Sequence, residues 1–122
     1  MLFRVCLIVS MMAITMPAMA QSVTAFDGTY AGVSNTAAGG GTQCIPSTPV
    51  PRPLTIKNGA VSWASGLTGD IIFQGSVTAQ GALTAKADNG LHVYGKIDAT
   101  GKITAGSTGS AGCTITSIWQ KR

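Results

Sequence analysis

The residues able to do chemistry are few. The chain holds one histidine, His92, and four acidic residues, Asp27, Asp70, Asp88 and Asp98. A hydrolase needs a nucleophile, a base and a group that orients the base. Serines are plentiful, and His92 has Asp88 and Asp98 at neighbouring turns. No serine sits in a G-x-S-x-G elbow, and His92 falls on the polar side of an alternating stretch, where a solvated imidazole is expected. A glycosidase needs paired carboxylates, but Asp27, Asp70 and Asp88 stand where turns favour aspartate. Metal chemistry fails on the same scarcity, with no second histidine and no calcium-loop spacing. Gly39-Gly40-Gly41 has no following lysine or helix that would make it a phosphate loop. The chain is therefore read as non-enzymatic, with no catalytic residue, no cofactor and no metal.

Two groups remain as candidates for binding. His92, Tyr94 and Lys96 share one wet strand face, where an exposed aromatic flanked by charge could stack on a sugar or a base. The second is the segment Pro46, Pro49, Pro51, Arg52 and Pro53. Proline fixes φ and donates no hydrogen bond, so this segment is expected to be extended and unpaired. It serves either as a stiff connector or as a preorganised loop for a partner. The net charge of +4 comes from cations scattered singly, with only Lys121 and Arg122 adjacent. That pattern suits strand-face solubility and argues against nucleic acid.

The elements that hold these residues begin after an export signal. Met1 to Arg4 is a short positive region, Val5 to Met16 is largely apolar and uncharged, and Pro17-Ala18-Met19-Ala20 ends in an A-x-A site. Residues 1–20 read as a signal peptide and 21–122 as one domain. The apolar run is shorter than the roughly 20 residues a membrane helix needs, so no stable membrane insertion is expected after cleavage. Cys6 goes with the signal. Cys44 and Cys113 remain, and an even pair in an exported chain reads as one disulfide. Periplasmic or secreted localisation follows.

The domain is expected to be all-β. Gly75-Ser76-Val77-Thr78-Ala79-Gln80-Gly81-Ala82-Leu83-Thr84-Ala85 aligns with the stretch from Gly95 to Ala105, and each copy is a strand, a glycine turn and a strand. Asn58-Gly59 is a type I′ hairpin signal. Alternation places Ile71, Phe73, Val77, Leu83, Val93, Ile97 and Ile103 inward and His92, Tyr94, Lys96 and Asp98 outward. About eight short strands result. Eight strands in an antiparallel meander would remove exposed edges by closing into a barrel, with a two-sheet sandwich as the alternative. Asn35 to Gln43 is expected to be a flexible loop, and Cys113 to start the last strand. Gly75 and Gly95 inside strands imply a bend, a bulge or a covering aromatic. Small inward residues predict a narrow packed barrel.

Phe26-Asp27-Gly28-Thr29-Tyr30-x-Gly32, Cys44, Leu54-Thr55-Ile56-x-Asn58-Gly59, Phe73-x-Gly75-x-Val77, Leu91-x-x-x-Gly95-x-Ile97, Gly101 and Cys113 together resemble small exported β-rich proteins of alphaproteobacteria. That resemblance implies export, the disulfide and the meander, and carries no activity. Gly28-Thr29-Tyr30 is also similar to the glycine-x-aromatic opening of lipocalin and avidin barrels, which hold small ligands. Periplasmic inhibitors of lysozymes or proteases are similar in architecture alone. The expected function is a binding module of the cell envelope for an unknown protein or small ligand. Alternatives are a small-ligand barrel, an inhibitor of an envelope-attacking hydrolase, and a structural envelope protein. A void lined by Trp63, Phe73 and Trp119 would mark the ligand barrel.

Overall fold

The computed structural model describes residues 23–109 and 112–122; the segment 1–20 expected to be a signal peptide lies outside them. Eight strands follow in order: β1 (Gly28–Ala38), β2 (Leu54–Lys57), β3 (Ala60–Ser65), β4 (Ile71–Val77), β5 (Ala82–Ala87), β6 (His92–Ile97), β7 (Lys102–Thr108) and β8 (Thr114–Lys121). Each pairs antiparallel with the next, and β8 pairs with β1. The sheet therefore closes as a barrel and is not a sandwich.

The two ends of the barrel differ. At one end the chain reverses in tight hairpins. Asn58 and Gly59 have φ of 51° and 77°, as a type I′ turn requires. The turns Thr78–Gly81 and Asp98–Gly101 are of another kind, alike between themselves: the positive φ falls on the closing glycine, 83° at Gly81 and 82° at Gly101, and that glycine's N–H bonds back to the first residue. The lead-in caps this end. The Asp27 carboxylate accepts hydrogen bonds from the N–H groups of Asn58 and Gly59, and Val23 and Phe26 pack against the core. The other end carries the longer connections: residues 39–53 between β1 and β2, 66–70 between β3 and β4, and 109–113 between β7 and β8. Cys44 and Cys113 are disulfide-bonded there, tying the first of these loops to the last.

Alternation fills the interior as expected. Tyr30, Leu54, Ile56, Val61, Leu83, Ile103 and Trp119 are all buried to within 2% of full exclusion. The strand glycines are explained by backbone crowding and not by a covering ring. A Cβ on Gly75 would lie 1.8 Å from the Thr84 carbonyl oxygen, and one on Gly95 would lie 2.6 Å from that of Thr104. Neighbouring strands approach these two points too closely for any side chain, which lets a narrow barrel bend.

Two boundaries differ from the sequence expectation. The stretch read as a loop from Asn35 is strand as far as Ala38, because it pairs with Thr114–Ser117 of β8. Asn-Thr-Ala-Ala has no alternation of its own, so tertiary pairing decides its conformation. The register of β1 on β8 also slips between Gly32 and Ser34. This bulge at Val33 changes which side chains face inward: Tyr30 does before it, and Asn35, opposite Ser117, does after it. The last strand begins at Thr114, one residue after Cys113.

Candidate functional site

The open end of the barrel is hollow. Its floor is aromatic. The Trp63 and Phe73 rings stack with centroids 4.8 Å apart and planes 7° apart, and the Trp119 ring meets Trp63 edge-on at 5.2 Å. Around this layer the lining mixes small and polar residues, such as Ala105, Ser107, Ser117 and Asn35, with apolar ones, Ile71, Leu91 and Ile115. A cavity of about 190 Å³ remains among them. A second, more open hollow of about 330 Å³ lies beside the disulfide and shares Leu91, Ser107 and Ile115 with the first. The expectation of a packed barrel thus holds for the tight-turn end and the middle, and fails at the loop end.

One wall of the cavity is the proline segment. Pro51 is buried, and its carbonyl oxygen occupies the place a Cβ on Gly32 would take, 1.8 Å away. The Asn35 N–H donates to the Pro49 carbonyl at 2.9 Å. The Asn35 side-chain amide donates to the Thr48 carbonyl at 3.1 Å and accepts from the Ser117 hydroxyl. The Trp119 indole N–H donates to the Arg52 carbonyl at 2.8 Å. Far from being unpaired, the segment is bonded to the inner face of β1 and β8. Pro46, Pro51 and Arg52 line the cavity, whereas Pro49 and Pro53 face solvent. The Arg52 guanidinium reaches across the mouth and donates to the carbonyls of Gly66 and Leu67.

The rim is apolar at two points. Ile45 is 74% exposed and Leu67 is 77% exposed, and they sit on different loops of this end. His92, Tyr94 and Lys96 lie elsewhere, on the outer wall of β6. The His92 and Tyr94 rings run parallel at 6.3 Å. Tyr94 is 65% exposed and takes no part in the cavity. The structure therefore keeps the two groups singled out from the sequence apart. Among the described residues, no three His, Cys, Asp or Glu side chains gather as a metal site.

Sequence reasoning did not find Asn35, Thr48 or Ser117. Their meeting depends on the β1 bulge and on a contact between the proline segment and β1, and neither leaves a local pattern. The aromatic floor was traceable, since Trp63, Phe73 and Trp119 all fall on inward positions of their strands. No helix among the described residues is long and apolar enough to cross a membrane. Comparison with known proteins finds no match, whether to a family model, a curated protein or a solved structure.

Proposed function

We propose that this chain is an exported, non-enzymatic binding protein whose open barrel end takes a small molecule with an apolar, ring-sized body. The observation that carries this reading is the cavity floored by Trp63, Phe73 and Trp119. Ligand sites are characteristically concave, mostly apolar and equipped with a few fixed polar groups. A volume of about 190 Å³ suits one ring with a short substituent, given that a dry cavity of about 150 Å³ accepts benzene. The disulfide supports an oxidising compartment, and so export. The apolar rim residues Ile45 and Leu67 would shield the outer part of such a ligand from water.

The test is titration of the protein with 3-phenylpropanamide, followed by NMR at the indole N–H signals of Trp63 and Trp119. Saturable shifts at both, abolished by Ser107→Trp at the cavity mouth, are the expected result. Unmoved indole signals with the amide and with its carboxylate counterpart would overturn the reading.

A further inference from the structure

We infer that the ligand is a small monocarboxylate and that Arg52 receives its carboxylate. The inference rests on the cavity being a ligand site, and it concerns the polar end of the molecule. Arg52 is the one charged residue among the described residues lining the cavity. Its backbone is fixed from below by the Trp119 indole N–H on its carbonyl. Its side chain is fixed from across the mouth, with Nη2 donating to the Leu67 carbonyl at 2.9 Å and Nε to that of Gly66 at 3.4 Å. Those bonds engage two of the five N–H groups of a guanidinium. The Nη1 amino group stands beside Gly69, 3.4 Å from the place a Cβ would occupy there. Neutral carbonyls orient the fork without cancelling its charge. Asp70 and Asp88, the acidic residues of this end, do not line the cavity.

Two of the polar side chains of the lining, Asn35 and Ser117, are already engaged with each other. Asn35 gives its side-chain N–H to Thr48 and takes the Ser117 hydroxyl on its oxygen. The remaining polar lining, Ser47, Ser65, Asn89 and Ser107, is neutral, so an anionic group of a ligand finds its charged partner at Arg52. A guanidinium held in one plane favours a planar pair of oxygens, which a carboxylate supplies and an alcohol does not. The apolar body of the same molecule would then lie on the aromatic floor.

Isothermal titration of the full exported chain, residues 21–122, with 3-phenylpropanoate and its neutral isostere 3-phenylpropanamide tests this. At low salt the carboxylate should bind at least about tenfold tighter, the scale of one charge-assisted hydrogen bond. In Arg52→Gln the carboxylate and the amide should bind equally, so that the preference is gone. Added salt should weaken the carboxylate and spare the amide, because the guanidinium faces solvent. Should Arg52→Gln lower the amide affinity as well, through the 66–69 loop, the salt response of the wild-type protein decides. Equal wild-type affinities, or a preference that persists in Arg52→Gln and ignores salt, would overturn the inference and leave the ligand cavity standing. Binding of neither compound would remove both.

Discussion

At the scale of single residues, glycine and hydrogen-bonded side chains set the geometry. Gly75→Ala would place a methyl group 1.8 Å from the Thr84 oxygen. Urea denaturation should show a loss of about 3 kcal/mol or more, beyond the usual 1–3 for overpacking, because backbone and not a side chain must move. Gly106→Ala is the control. Its nearest neighbour is 3.7 Å away, so the same measurement should find it neutral or stabilising by about 0.5 kcal/mol through the unfolded state. Two titrating groups give a pH signature. Asp98 is held below its ordinary value of 3.8, first by the Thr100 hydroxyl and then by the Lys102 N–H. A lowered carboxyl pKa adds stability above pH 3.8 that disappears as pH falls through the folded-state value. Tyr30 is pushed above 10.0 by burial and then by Asp27. Its contribution is complete below pH 10.0 and is lost as pH rises through the raised value. Melting temperatures across pH should therefore fall at both extremes, with the acid limb shallower in Asp98→Asn and the alkaline limb shallower in Tyr30→Phe.

At the scale of elements, hairpins were legible and their long-range partners were not. Asn58-Gly59, the turn glycines Gly81 and Gly101, and the period-two alternation from Ile71 to Ile103 all act over a few residues. Local chemistry is enough to read them. The extension of β1 to Ala38 and the inward turn of Asn35 arise from β8, some 80 residues away. The Asp27 carboxylate on the Asn58 turn is likewise a contact between segments distant in sequence. The cavity depends on such contacts, so its floor could be anticipated from inward aromatics while its proline wall could not. The disulfide acts on this same wall. It closes a loop of 69 residues, and Cys44→Ser/Cys113→Ser should cost up to about 4 kcal/mol in the chain-entropy picture. Hydrogen exchange should locate the loss. Amides of 39–53, 109 and 112–113 should lose protection first, with those of β4 to β6 keeping most of theirs, since these strands pair without reference to the bridge.

For the whole molecule, closure removes every edge. Each strand has two hydrogen-bonded neighbours, and the pairing of β1 with β8 joins the first of the eight strands to the last. Contacts this distant in sequence fold slowly, in the range of about milliseconds to seconds for barrel-like domains. With one core running through all strands, unfolding followed by far-ultraviolet circular dichroism and by tryptophan fluorescence should give coincident transitions. Deleting 114–122 should give a chain that self-associates in sedimentation experiments, because β1 and β7 would then both show bare edges. The seam between β1 and β8 also has a consequence for a chain that emerges from a ribosome or a translocation channel one residue at a time. The strand that completes the barrel is the last to appear, so no partial product can finish the fold. The chain stays threadable until β8 has emerged, and the cavity, which Ser117 and Trp119 of that strand help to line, comes into being only then.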